Sequence, residues 1–296
     1  MNPIVIISPN EALLKLHLPV SGKSKLGLGT VQFGLDYGIS NEQGKTPFQE
    51  VIDILSFSNA HHIKVLDTAS AYGESESVLG RSGVKQFDII TKFLAKSADE
   101  CTSQMASSLA KLNCDHVYGF LSHNISQLID NPSIWSAMLE LKEQGKTKKI
   151  GFSFNSLSEI EDVMKAGWIP DLIQIPFNIL DNRFMDIAKY FKAKGTEIHS
   201  RSAFLQGLFF CQPQNLSDHF KDVKPFLQEL QNYSTNLAGD LLKYCTDNPV
   251  IDKVIVGVNN LPQLKEIIVG LENAVKLELE CPKLGESILA PYNWRS

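Results

Sequence analysis

Excess positive charge, paired cysteines and long apolar runs are all missing from this sequence, and each absence removes a class of function. The 28 Lys+Arg fall short of the 33 Asp+Glu, for a formal charge of −5. Nothing chain-wide draws such a protein to a phosphate backbone, so nucleic acid is not an expected partner. No run approaches the ~18 apolar residues that a membrane helix needs, so no membrane span is expected either. The opening MNPIVIISPNEALLKL has neither a basic start nor a small-residue cleavage site, unlike a secretory signal. The five cysteines (Cys101, Cys114, Cys211, Cys245 and Cys281) are odd in number and scattered, with no disulfide-framework or CxxC spacing. A soluble, cytoplasmic protein without a metal site is the expectation. No linker, low-complexity tract or internal repeat divides residues 1–296, which read as a single domain.

What is there is alternation. Short β-rich apolar runs occur at KLGLG (25–29), IKVLD (63–67), DIITK (88–92), VYGFLSH (117–123), KKIGFS (148–153), DLIQIP (171–176), TEIHS (196–200) and KVIVGV (253–258). Helical periodicity fills the gaps near 48–60, 74–82, 99–112, 131–145, 156–166, 182–195, 226–247 and 261–271. Gly145, Gly167 and Gly195 follow helical stretches as C-terminal caps would. Eight strand–helix units predict an α/β fold, a single (β/α)8 TIM barrel. An open doubly wound sheet is the alternative, but its GxGxxG fingerprint is absent from every strand–helix junction. The first ~24 residues are expected to cap the barrel bottom. The seventh connection is about twice the usual length, which predicts a long loop over residues ~204–225 on the active face.

In such a barrel the chemistry sits where strands finish. Strand two ends in Asp67, strand three in Lys92, strand four in His123 and strand five in Ser153. Strand six carries Gln174 near its end, and strand seven runs into Ser200 and Arg201. A buried charge is expensive unless paired, so Asp67 and Lys92 on adjacent strands are expected to satisfy each other. Tyr72 follows Asp67 in the turn before the next helix, aimed at the same mouth. His61, His62, His199 and His219 lack a metal-type partner at useful spacing and read as structural, with His199 close enough to the mouth to touch a ligand.

Together, DTASAYGESESVLG (67–80), ITK (90–92) and LSHN (121–124) resemble the motifs of the aldo-keto reductase superfamily. LGLGT (26–30), KIGFS (149–153), IQIPFN (173–178) and VIVGV (254–258) fall where that family expects them. The resemblance implies Tyr72 as proton donor, Lys92 and Asp67 as the pair that tunes it, and His123 as the group that orients a substrate carbonyl. Physical chemistry gives this set a division of labour. Hydride delivery to a carbonyl creates an alkoxide, which needs a proton as it forms. A lysine cation ~4 Å from a phenol favours phenolate by up to ~4 kcal/mol at an effective dielectric of 20. Burial and the Asp67 pairing oppose this, so a smaller net lowering of the Tyr72 pKa is expected.

The resemblance also implies a nicotinamide dinucleotide across the mouth, NADP with NAD open. Its carboxamide would meet Ser153 and Gln174, and its ribose and pyrophosphate would lie near Gly29 and Thr30. Family members usually carry Asn directly after that Ser, whereas this chain has Phe154 and then Asn155. Asp67, Ser200 and Arg201 join the expected cofactor contacts. For the adenosine end the segment GVNNLPQLKE (257–266) offers Gly257, Asn259, Gln263 and Glu266, with Asn260 as an alternative donor or a plain helix cap. Phe33, Phe93, Phe177 and Phe204 near strand ends are candidates either for the substrate pocket or for the core. The expected reaction is reduction of an aldehyde or ketone to an alcohol, a sugar or other polar carbonyl among the substrates. Two other readings stay open from sequence: a dinucleotide-binding regulatory subunit with little turnover, as in potassium-channel β subunits, and a Schiff-base lyase using Lys92. Oligomeric state is not legible.

Overall fold

The computed structural model describes residues 25–39, 41 and 43–294. The expected bottom cap over the first ~24 residues lies outside them. Eight strands form a closed parallel barrel in chain order: β1 (Leu26–Gly29), β2 (Val65–Asp67), β3 (Asp88–Phe93), β4 (Val117–Ser122), β5 (Thr147–Ser153), β6 (Leu172–Pro176), β7 (Glu197–Arg201) and β8 (Lys253–Gly257). Closure comes from β8 pairing with β1, Gly29 beside Gly257. The (β/α)8 architecture expected from the alternation is the one observed.

Around the barrel run α1 (Phe48–Ala60), α2 (Ser75–Ser82), α3 (Ala98–Leu112), α4 (Ile125–Asp130), α5 (Ser133–Glu143), α6 (Leu157–Lys165), α7 (Met185–Ala193), α8 (Lys224–Tyr233), α9 (Leu237–Thr246), α10 (Leu261–Glu272) and the short α11 (Glu286–Leu289). Their ends follow local chemistry. Ser97 caps α3, and Ser156 with Glu159 forms a reciprocal capping box on α6. Gly145, Gly167 and Gly195 take the left-handed conformation after their helices, at φ 72°, 71° and 89°.

One expected helix is two, and another is preceded by a short helix that was not expected. The stretch near 131–145 is α5, and ahead of it runs the unexpected α4, capped by the Asn124 side chain. Pro132 cannot donate to a continuing helix, so α5 starts afresh after it. The stretch near 226–247 divides between α8 and α9, where the Ser234 hydroxyl bonds Asp240 Oδ2 at 2.6 Å and accepts from the Asn236 amide at 3.1 Å. Such local side-chain bonds compete with the helical ladder.

Most of the core lies between strands and helices. Inside the barrel the apolar filling is thin, a layer of Val65, Ile90, Leu121, Leu172 and Ile255. Charged side chains sit above and below that layer. The long connection after β7 is present: 3-10 turns at Leu205–Phe210, Pro213–Asn215 and Asp218–Phe220 precede α8. Its own apolar cluster, with Leu208, Phe209, Phe226 and Leu230, anchors it against the C-terminal segment. The loop therefore has a footing of its own beside the barrel mouth.

Candidate active site

Asp67 ends β2 and Lys92 lies on β3, and parallel pairing sets these strands side by side. Lys92 Nζ donates to Asp67 Oδ1 at 2.6 Å and to the Thr68 carbonyl at 2.9 Å, with the lysine side chain 1% exposed. The other carboxylate oxygen, Oδ2, accepts from Gln174 Nε2 at 2.7 Å. Ser153 Oγ stands 3.4 Å from Gln174 Oε1. Asp67, Lys92, Gln174 and Ser153 thus form one buried polar layer beneath the mouth. The expected pairing of Asp67 with Lys92 is observed.

Tyr72 is held above this layer by a stitched turn. Ser75 Oγ donates to the Thr30 carbonyl at 2.8 Å and accepts from Thr68 Oγ1 at 3.0 Å, tying the ends of β1 and β2 to the start of α2. Thr30 Oγ1 donates to the Asp67 carbonyl at 2.9 Å. Glu76 is buried and accepts from Thr91 Oγ1 at 2.7 Å. Gly73 sits at φ 56°, a conformation in which a side chain would be strained, and a Cβ there would also meet the Gly34 carbonyl at 2.6 Å. Much of the DTASAYGESE run therefore fixes where Tyr72 points. His123, just past β4, meets the Tyr72 ring edge-on with centroids 6.0 Å apart.

The electrostatics differ from the sequence expectation at one point. The Lys92 ammonium stands 5.1 Å from the centre of the Tyr72 ring, while its hydrogen bonds go to Asp67 and Thr68. Burial, and then the Asp67 charge, push the Tyr72 hydroxyl well above the ordinary phenol value, with Arg201 pulling it partly back. The phenol is raised rather than lowered, because desolvation and the carboxylate outweigh the cation. Burial likewise lowers the Lys92 pKa, against the opposing pull of Asp67. His123 is pushed down to about 4 by burial and then by the charges of Lys92 and Arg201, so its imidazole is neutral at physiological pH.

A cleft of about 720 Å³ opens above these groups. Of the residues singled out from sequence, Gly29, Thr30, Asp67, Tyr72, His123, Arg201, Gly257, Asn259, Gln263 and Glu266 line it. Ser153, Gln174 and Lys92 lie buried beneath it. Ser200 is buried with its hydroxyl 3.5 Å from the Lys253 carbonyl, because strand alternation turns it away from the face that carries Arg201. Asn155 reaches the cleft, while Phe154 is buried in the core. Of the four aromatic candidates only Phe204 lines the cleft; Phe33, Phe93 and Phe177 pack in the core. His199 is not at the mouth either. It is fully buried, with Nε2 2.6 Å from Glu197 Oε1.

Sequence reasoning missed Tyr37, Gln32 and Gln206, which also line the cleft. Gln206 Nε2 donates to the Tyr37 hydroxyl at 2.7 Å, and the Ile39 amide donates to the Gln206 carbonyl at 3.2 Å, so the loops after β1 and β7 meet. The signal for Tyr37 lay in TVQFGLDYG (30–38), but nothing in that run says which loop it faces. Ser202, Leu205 and Gln206 hold positive φ angles of 64°, 46° and 52°, a cluster of left-handed non-glycine residues beside the cleft.

The lining fits a dinucleotide. A Cβ on Gly257 would come within 2.8 Å of the Gln32 amide, so the glycine keeps a narrow floor open. Gln32 Oε1 and Asn259 Oδ1 are buried acceptors without a partner, suited to ribose hydroxyls or an amide. Asn260 caps α10, its Oδ1 accepting from the Gln263 amide at 3.0 Å, and Gln263 Oε1 accepts from the Asn259 amide at 2.8 Å. Lys265 is turned away over the Phe57 ring. The α10 end of the cleft is therefore lined by the amides of Asn259 and Gln263 and by the Glu266 carboxylate.

Residues 25–279 match the model of the aldo/keto reductase family. L-galactose dehydrogenase of Arabidopsis thaliana is 23% identical, over 94% of this chain and 96% of that protein. The uncharacterized oxidoreductase YtbE of Bacillus subtilis (strain 168) is 24% identical, over 79% of this chain and 82% of that protein. Among solved structures, the holo form of an aldo-keto reductase from Bacillus halodurans superposes with a TM-score of 0.69 at 21% identity, covering 86% of this chain and 88% of that one. That last likeness speaks for the fold. No helix among the described residues is long and apolar enough to cross a membrane.

Proposed function

The chain belongs to the aldo/keto reductase family and is an oxidoreductase, and from that premise we propose that it reduces an aldehyde or ketone to the alcohol, with Tyr72 as the proton donor. Aldo-keto reductases generally use a reduced nicotinamide dinucleotide, and bound in the cleft it would supply the hydride. NADP(H) is the proposed form, held by Gly29, Thr30, Gly257, Asn259, Gln263 and Glu266, with Ser153 and Gln174 near its carboxamide. The five free cysteines suit a reducing compartment such as the cytoplasm.

The observation that carries this reading is convergence. Tyr72, Asp67 and His123 line one cleft from the ends of β2 and β4, and Lys92 on β3 between them pairs with Asp67 just beneath it. Tyr72, raised in pKa, keeps its proton at neutral pH and gives it only when an alkoxide, a far stronger base than phenolate, forms beside it. Neutral His123 can donate an N–H to the carbonyl oxygen as negative charge grows there. Lys92, fixed by Asp67 and Thr68 over the phenol ring, stabilises the phenolate that remains. Gln174 holds the second Asp67 oxygen, which keeps the carboxylate directed at Lys92.

The test is a panel of aldehydes, ketones and sugars assayed with NADPH and NADH, together with fluorescence titration of each cofactor. Turnover with tighter binding of NADPH is expected. Tighter binding of NADH overturns the cofactor form, and no turnover with either overturns the reaction.

A further inference from the structure

One cation in the cleft, expected from sequence among the cofactor contacts, takes no part in the proton chemistry above. Arg201 ends β7 with its guanidinium in the cleft, and no carboxylate pairs with it among the described residues. Its Nη2 donates to the Phe154 carbonyl at 2.8 Å and to Asn155 Oδ1 at 2.6 Å, and its Nη1 to Ser202 Oγ at 3.4 Å. All of these acceptors are neutral. A guanidinium has five N–H groups, so these bonds fix its plane and still leave donors for a ligand.

We propose that Arg201, with the Tyr37 hydroxyl, seats an anionic group of the substrate, so that the preferred carbonyl compound is an oxo acid carrying a carboxylate. This rests on the carbonyl-reductase reading of the same cleft and names its substrate class. Tyr37 contributes a hydrogen: its oxygen accepts from Gln206 Nε2, which leaves its own O–H to donate to a carboxylate. The remaining acidic groups of the lining do not compete for the guanidinium. Asp67 has both oxygens bound, by Lys92 and Gln174. Glu266 sits on α10, one turn after Gln263, in the segment assigned to adenosine.

The location is the reacting end of the cleft. Arg201 lines the cleft with Tyr72, His123 and Tyr37, anchored to Phe154 and Asn155 just past the end of β5, and its charge is felt at all three and at Lys92. The left-handed residues Ser202, Leu205 and Gln206 hold the turn that carries both Arg201 and the partner of Tyr37, and such strain gathers at binding sites. The same chemistry would also suit a pyrophosphate of the cofactor, so the experiment separates the two anions.

The experiment measures kcat/KM with saturating NADPH for 4-formylbenzoate against its methyl ester, in the wild type, R201Q and R201K, with the NADPH dissociation constant of each. The wild type is expected to favour the acid by about ten- to a hundredfold, the range of a charge-assisted hydrogen bond. In R201Q that ratio should fall to one or below, and R201K should retain part of it. A wild-type ratio near one overturns the proposal while leaving the reductase reading intact. So does an R201Q enzyme whose ratio is unchanged but whose NADPH binding weakens more than tenfold, since the guanidinium then serves the cofactor. Reduction of neither compound with either cofactor overturns both.

Discussion

Asp67 and Glu197 both stand inside the barrel, each in a polar cluster of its own, and what surrounds the two clusters differs. Glu197 lies toward the N-terminal ends of the strands, where Tyr118 donates to it at 2.6 Å, Lys149 pairs with the same oxygen and His199 holds the other. Burial alone would raise its pKa, yet these partners hold it below the usual carboxylate range. Asp67 lies at the C-terminal ends and is equally well bonded, by Lys92 and Gln174. The difference is what surrounds each cluster. Around Asp67 a phenol, an imidazole and a guanidinium face a cleft with valences to spare, whereas Glu197, Tyr118, Lys149 and His199 do not line that cleft. A buried ion network is thus not by itself a sign of chemistry. Unspent donors facing a cavity are the more discriminating sign.

That contrast can be broken by substitution. The largest effect is expected for Lys92→Met, which leaves Asp67 buried and uncompensated. Stability should fall by about 3–5 kcal/mol, and kcat/KM by about a hundredfold or more. Adding Asp67→Asn should restore much of the thermal stability without restoring activity; restoration of both would make the pair a purely structural one. Thermal melts and steady-state kinetics on the three variants read this out.

A smaller effect belongs to His123. Its folded pKa of about 4 lies below the unfolded value near 6.5, so the unfolded chain binds the extra proton first. Stability is therefore whole above pH 6.5 and is lost as pH falls toward about 4, by about 3 kcal/mol at most. Urea unfolding at pH 7 and pH 4.5 should show that loss in the wild type and a smaller one in His123→Asn. Equal slopes in the two proteins would mean that other groups carry it.

The smallest effect is expected for Glu197→Gln. Partial exposure of Glu197 and Lys149, at 15% and 28%, tempers the loss, which should be about 2 kcal/mol, or roughly 5 °C in Tm. Turnover should stay within about twofold of the wild type. A large fall in kcat at unchanged Tm would make the lower cluster part of the catalytic apparatus and erase the distinction drawn above.

How much of this was legible in sequence follows from the same physics. Strands buried on both faces read as apolar runs, so the polar Asp67, Lys92 and His123 at their ends stood out. Parallel pairing between consecutive strands then brought them together as expected. Aromatic residues gave no such contrast. Phe33, Phe93 and Phe177 are apolar on apolar strand ends, and nothing local separates the core face from the cleft face. The different fates of Ser200 and Arg201 hang on a one-residue pleat frame that composition does not reveal. Tyr37 and Gln206 meet across two loops far apart in the chain, which no local pattern encodes. The Tyr72 pKa went the other way because desolvation, a property of the assembled fold, outweighs the pairwise charge that sequence suggests.

The most direct test of the account is a single turnover: enzyme loaded with NADPH, mixed rapidly with excess aldehyde, and followed by the loss of nicotinamide absorbance in wild type and Tyr72→Phe. The account predicts that Tyr72→Phe binds NADPH as tightly as the wild type and oxidises it at least about a thousandfold more slowly. Oxidation at the wild-type rate in the variant would contradict it, because the proton would then come from elsewhere.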